Sequence, residues 1–516
     1  MTAPALYEAP AVTDERRRWL ALYVLCAGML MIVLDVTVVN VALPSIQTDL
    51  GFSGSSLAWV VNAYLISFGG LLLLAGRFGD LLGHRRMFLA GLAVFTSASM
   101  VCGLAGSQVV LVGARFVQGV GGAMTSAVIL GMIVTMFPEP REQAKAIGVY
   151  GFVASAGGTI GLLAGGVLTQ AIDWHWIFFI NVPIGIATAT LALRLIEPGR
   201  GLGLDQGADV PGALLLVTAL MLGVYTIVVP AARHGWGAGE TLGLGAASLA
   251  LLAGFLVREA TAARPLIPLR VFRSRDLAGG NLLQALLVAG MFGTFFLGAL
   301  YLQRVLHYDA LEIGLAFLPT TLVMGTMSLR YSERLVMRFG ARRVLIVGMS
   351  LAALGLGWFA QVPVRDAYVV HVLPALLLLG LGIGGSFPAL MAVAMAGAGP
   401  EDAGLASGLV NTTAQVGGAI GLAVLATVAS THSRGLIGHG APTAAALTAG
   451  YRAAFWIGAG LIAVAVLVAV FVLERSPGAA RGAARAPVPG AVAAGATAGE
   501  TGAREGAHPG LCPEGA

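Results

Sequence analysis

Leu34-Asp35-Val36-Thr37-Val38-Val39-Asn40-Val41-Ala42-Leu43-Pro44 closes an apolar run that begins at Trp19. A run of about twenty apolar residues is the length needed to cross the hydrocarbon core of a bilayer. Arg16, Arg17 and Arg18 precede it, as a signal peptide's charged start would, but the run is too long for a cleaved segment and reads as a retained first helix. Within it sits one carboxylate, Asp35. A carboxylate in lipid costs at least ~2.5 kcal/mol, so an intramembrane acid marks function by default.

The pattern repeats along the chain. Of 516 residues, 57% are hydrophobic and 11% charged, and the mean hydropathy is +0.87. That composition excludes a soluble globular domain, which needs more charge to cover its surface. Further apolar spans fall near 57–76, 87–106, 109–136, 146–169, 176–196, 210–230, 241–258, 277–302, 312–330, 343–362, 371–396, 404–430 and 452–473. Open strands cannot satisfy their backbones in lipid, so the expectation is an all-α integral membrane protein of fourteen transmembrane helices. Of the 30 basic residues, only Arg233, Arg304, Arg365, Arg434 and Arg452 fall outside if the N-terminus is inside, and Arg115 alone lies within a span. The positive-inside rule therefore predicts cytoplasmic termini and an even span count.

Gly83-His84-Arg85-Arg86-Met87 after the second span is echoed by Gly340-Ala341-Arg342-Arg343-Val344 after the tenth. The echo predicts a cytoplasmic segment 1–18, a six-helix bundle 19–196, a linker 197–276 carrying two additional helices, and a second six-helix bundle 277–473. The tail 474–516, rich in Ala, Gly, Pro and Arg, cannot bury a core and is expected to be disordered. Scattered arginines exclude a nucleic-acid face. Cys26, Cys102 and Cys512 have no disulfide or metal spacing. No phosphate-binding glycine loop, metal cluster or nucleophile elbow is present. No metal, cofactor or enzymatic chemistry is expected, and any energy the protein uses has to come from an ion gradient.

Asp35 and Arg115 are the two lone charges deep in spans. Counted along opposed helices at 1.5 Å per residue, Asp35 lies within ~10 Å of the outer end of a ~30 Å core and Arg115 roughly 9 Å deep. At matching depth they either pair or share one water-filled cavity. Other polar residues that could face a cavity are Asn40, Asn62, Tyr64, Gln284, Gln303, Asn411 and Gln415, although intramembrane amides more often bond a neighbouring helix. Gly157, Gly161 and Gly165, four apart in the fifth span, offer one small-residue face for close helix approach.

The segment 34–44 resembles the first-helix signature of the fourteen-helix drug/proton antiporters (EmrB/QacA type) of the major facilitator superfamily. Gly76-Arg77-Phe78-Gly79-Asp80-Leu81-Leu82-Gly83-His84-Arg85-Arg86 is similar to the superfamily's loop 2–3 motif, and Arg115-Phe116-Val117-Gln118-Gly119 to its helix 4 motif. Trp174-His175-Trp176-Ile177-Phe178-Phe179-Ile180-Asn181-Val182-Pro183 and Gly404-Leu405-Ala406-Ser407-Gly408-Leu409-Val410-Asn411-Thr412 match the family's entries into helices 6 and 13. The resemblance implies the major facilitator fold, two bundles plus two inserted helices, in the bacterial inner membrane. It implies a monomer that exports hydrophobic drugs, dyes or antibiotics against protons by alternating access. Asp35 and Arg115 would couple to protons. Asp80, Gly83, Arg85, Arg86 and the three glycines of helix 5 would gate, with Asp80 docking on a helix N-terminus of the other half. Two departures stand out: Leu81 replaces the usual basic residue of the loop, and Leu162 the usual proline of helix 5. A proton-linked importer or exchanger of a metabolite and a non-transporting sensor on the same scaffold remain as alternatives.

Overall fold

Among the described residues, fourteen helices are long and apolar enough to cross a membrane. The computed structural model describes residues 15–199, 201–203, 207–262, 265–267, 270, 272, 274–364, 368–396 and 403–472. The expected disordered tail lies outside the described residues, as do all but the last four residues of segment 1–18. The spans are α1 (Glu15–Leu50), α2 (Ser56–Leu82), α3 (His84–Gly103), α4 (Gln108–Met136), α5 (Gly148–Ala171), α6 (Trp176–Leu195) and α7 (Val210–His234). They continue with α8 (Gly239–Thr261), α9 (Arg275–Arg304), α10 (Ala310–Tyr331), α11 (Ala341–Phe359), α12 (Tyr368–Val393), α13 (Gly408–Gly438) and α14 (Thr443–Phe471). Several helices outrun their apolar stretches. The first continues through Pro44 to Leu50, and α14 begins at Thr443, so Arg434 and Arg452 lie within helices and not in loops. Both reach neighbouring carbonyls: Arg434 Nη2 donates to Ala232 O at 2.8 Å, and Arg452 Nε to Val362 O at 2.7 Å.

Helices α1–α6 pack chiefly among themselves, α1 on α5 and α6, and α4 on α2 and α3. Helices α9–α14 do the same, α9 on α13 and α14, and α11 on α12 and α14. The two sets meet along α2–α13 and α5–α10. Helix α7 lies against both α2 and α13, and α8 packs outside it on α7.

The two echoed turns are the same structure. Gly83 has φ 96° and ψ 132°, Gly340 φ 83° and ψ 147°, and each is the residue from which the next helix starts. Such backbone is strained for any residue with a Cβ. Two residues on, Arg85 Nη2 donates to Leu193 O at 2.7 Å near the end of α6. Arg342 Nη2 donates to Val470 O and its Nε to Ala469 O at 3.3 Å, near the end of α14. Free carbonyls at helix C-termini favour a cation. The echo therefore carries a repeated contact: the turn after the second helix of each set ties down the sixth.

Among the described residues, the two sets come into close backbone contact at the face holding Gly51, opposite Gly83. There a Cβ on Gly166 would stand 2.9 Å from Ala310 O, and one on Gly314 2.7 Å from Leu162 O. Nearby, Gly54 faces the Ser430 side chain. Towards the middle, Gly69 sits under the Gln415 side chain and Gly408 against Leu73. On the Gly83 face, the Asp80 carboxylate is half exposed, 3.3 Å from His84 Nε2. Among the described residues, its carboxylate pairs within its own turn, and its carbonyl accepts Leu202 N at 2.9 Å from the segment leading to α7.

Candidate functional site

Asp35 and Arg115 form a buried ion pair. Arg115 Nη1 lies 2.5 Å from Asp35 Oδ2, and neither side chain is more than 1% exposed. The antiparallel run of α1 and α4 brings the two to one depth, as equal spacing from the same membrane surface requires. Arg115 is fixed on its other sides too. Its Nε donates to Val60 O at 2.9 Å, its Nη1 also to Gln118 Oε1 at 2.7 Å, and its guanidinium lies 4.4 Å above the Tyr64 ring and 5.7 Å from that of Phe178.

Three further side chains, not singled out from the sequence as site residues, complete the cluster. Gln118 Nε2 donates to Asp35 Oδ1 at 2.7 Å and to Ser99 Oγ at 3.1 Å. Asn181 Nδ2 donates to the same Oδ1 at 3.1 Å and to Ser99 Oγ at 3.0 Å. Ser99 Oγ donates in turn to Phe178 O at 2.9 Å. The signals were there: Gln118 is one turn on from Arg115 and so on its face, and Asn181 opens the last stretch of α6 ahead of Pro183. Side chains of α4 and α6 thus hold the carboxylate carried by α1, both its oxygens accept hydrogen bonds, and Ser99 of α3 braces the two amides. An uncompensated charge in low dielectric is expensive, so each of these partners matters to the packing of the bundle.

The other predicted residues are spread out. Asn40 Nδ2 donates to Val36 O of its own helix at 3.0 Å. Asn62 is fully buried with neither amide atom partnered, and the Tyr64 hydroxyl and the Gln284 side-chain carbonyl are likewise buried and unpartnered. Gln303 and Gln415 are half-buried and Asn411 is exposed. The glycine face of α5 meets α1: Gly157 faces Leu30 and Val33, Gly161 faces Thr37, and Gly165 faces the Val38 backbone. The residues one position on, Leu162 and Gly166, make the contact with α10 described above. Among the described residues no group of three His, Cys, Asp or Glu side chains could hold a metal.

Comparison with known proteins agrees with this fold. The family model described as Major Facilitator Superfamily matches residues 25–422. The chain is 38% identical over 486 residues to the puromycin resistance protein pur8 of Streptomyces alboniger, covering 93% of this chain and 96% of that one. It is 40% identical over 460 residues to the cephamycin export protein CmcT of Amycolatopsis lactamdurans, covering 88% and 93%. It is 36% identical over 416 residues to the tetracenomycin C resistance and export protein of Streptomyces glaucescens, covering 81% and 77%. Among solved structures, a bacterial homologue of the human lysosomal transporter Spinster superposes with a TM-score of 0.64 at 16% identity, covering 91% of this chain and 98% of that one. The nucleoside transporter NupG gives 0.62 at 12% identity, covering 88% and 100%.

Proposed function

The chain belongs to the major facilitator superfamily, and on that premise we propose that it exports hydrophobic small molecules of the antibiotic class across the bacterial inner membrane in exchange for protons. The observation that carries the reading is the buried carboxylate of Asp35 held by Arg115, Gln118 and Asn181. A titratable group held between several helices links a proton to the arrangement of those helices, and linkage is reciprocal. The relatives named for puromycin resistance and for cephamycin export support the class of cargo and the direction.

In the mechanism we infer, the bundles 19–196 and 277–473 rock about a central cavity in a monomer. The arginine distribution puts the Gly83 face and both termini in the cytoplasm. Contact between the bundles at the Gly51 face, through Gly166, Gly314 and Gly54, then corresponds to a state closed to the outside. Asp35 takes up a proton when the outer side opens and releases it to the cytoplasm when the inner side opens, while cargo binds in the opposite phase. Asn62 and Gln284, with buried unpartnered polar atoms, are the proposed cargo contacts. Asn40, Gln303, Asn411 and Gln415 serve as secondary ones. Asp80, Gly83, Arg85 and Arg86 hold the cytoplasmic turn that moves with α2.

The test is flux in inverted vesicles from cells expressing the protein. An acid-inside gradient should drive accumulation of a lipophilic antibiotic such as puromycin, and a protonophore should collapse it. Accumulation insensitive to the pH gradient would remove the antiport reading, and uptake in the reverse direction would make the protein an importer.

A further inference from the structure

A second buried acidic pair lies at the base of the α7–α8 hairpin, remote in sequence from the Asp35 cluster. Asp209 immediately precedes α7, and Glu259 sits in the last turn of α8; they are 4% and 3% exposed. Asp209 Oδ1 is well satisfied: it accepts Gly212 N at 3.1 Å, Arg258 Nε at 3.0 Å and Arg258 Nη2 at 3.0 Å. Glu259 Oε2 accepts Ile267 N at 2.8 Å. The remaining oxygens, Asp209 Oδ2 and Glu259 Oε1, are both buried without a hydrogen-bond partner. They converge on one point. A Cβ at Gly212 would lie 2.5 Å from Oδ2 and 3.2 Å from Oε1, so the missing side chain there leaves room for both.

The charge count does not close. Among the described residues, the charged groups acting on the pair are Arg258, half exposed, and each other. Arg77 of α2 bonds the backbone ahead of α7 and not the pair, its Nε donating to Gly207 O at 3.3 Å. Two carboxylates and one guanidinium leave one buried negative charge over, and two unpartnered acceptors cannot bond each other. One proton answers both problems, as in acid pairs that cannot both ionise.

We propose that Asp209 and Glu259 form a carboxylate–carboxylic acid pair holding one proton, which clamps residues 265–267, the approach to α9, onto the hairpin. Glu259 carries the proton on Oε1 and donates it towards Asp209 Oδ2, while Oε2 stays free to accept Ile267 N. When the O–H bond breaks and the proton leaves to water, two anions face each other across Gly212. Glu259 then turns away and Ile267 N loses its acceptor. The segment that joins the inserted helices to α9 is thereby sensitive to proton activity at the Gly83 face, separately from Asp35.

The test uses the full-length protein in lipid nanodiscs. Infrared difference spectra should contain a protonated-carboxyl carbonyl band that shifts in D2O and is lost in Glu259→Gln. That variant keeps a donor towards Asp209 and an acceptor for Ile267, so it should fold. Hydrogen exchange at Ile267 should rise steeply with pH in the wild type, beyond the intrinsic increase, and follow only the intrinsic increase in Glu259→Gln. Asp209→Asn removes the surplus negative charge, so Glu259 should ionise against Arg258 and the band should be lost there too. Identical carboxyl spectra in wild type and Glu259→Gln would overturn the proposal. So would spectra that respond to added cations instead of pH, or a band that persists in Asp209→Asn.

Discussion

The carboxylate of Asp35 accepts from Arg115, Gln118 and Asn181, and each donor can be removed separately. Arg115→Ala leaves a buried anion beside an empty guanidinium site, which is expected to cost about 3–5 kcal/mol. Thermal unfolding in detergent should show a lower midpoint, and Asp35→Asn on top should recover much of the loss because the unpaired charge is gone. Gln118→Leu removes one donor to Oδ1 while Asn181 keeps another. It should slow transport several-fold with little change in stability. No recovery in the double variant would mean that the pair is not electrostatically coupled. At this scale the sequence was readable where it was exceptional. Asp35 and Arg115 stood out because charges in lipid are rare. Gln118, Asn181 and Ser99 did not, since amides and hydroxyls are common in membrane helices and gain their role only from what packs opposite.

Helix pairs show where side-chain size sets the motion. The α5–α10 contact at the Gly51 face brings backbones together at Gly166 and Gly314. Gly314→Val would drive two methyl groups into the Leu162 carbonyl, so the closed arrangement should be lost. Spin labels placed across that face should report longer distances than in the wild type, and an unchanged distance distribution would deny the contact a gating role. At the other face, Gly83→Ala meets both a positive φ and Gly199 O, 2.8 Å from the added Cβ. A loss of about 1–3 kcal/mol is expected from the strain, measured by denaturant or thermal midpoints, and Gly340→Ala, with nothing near its Cβ, should cost less. All fourteen helices were legible because bilayer thickness fixes the length of an apolar run. Their ends were less so: a helix that rises past the hydrocarbon, as α1 does to Leu50 and α14 from Thr443, changes composition without changing conformation. A motif carries its local geometry, here the turn at Gly83 and the pair with His84, but which distant helix it touches depends on the arrangement of the whole bundle.

Across the whole molecule the balance of buried charge bears on cargo. Among the described residues, no carboxylate is buried in α9–α14. Glu312 is occupied in a capping box, its Oε2 accepting Asp309 N at 2.9 Å while its own N–H donates to Asp309 Oδ1 at 2.8 Å. A divalent organic cation in a low-dielectric cavity would want two anions, and Asp35 is already paired. Resistance assays should therefore favour neutral and monovalent lipophilic compounds over matched divalent dyes, and stronger resistance to the divalent member at equal expression would refute this. The account stands or falls on proton coupling through Asp35, and the direct measurement is transport by purified wild type and Asp35→Asn in proteoliposomes. The near-isosteric variant should still exchange labelled for unlabelled cargo at equilibrium but should build no gradient of cargo when a pH gradient is imposed. Gradient-driven accumulation by Asp35→Asn at the wild-type rate would contradict the account.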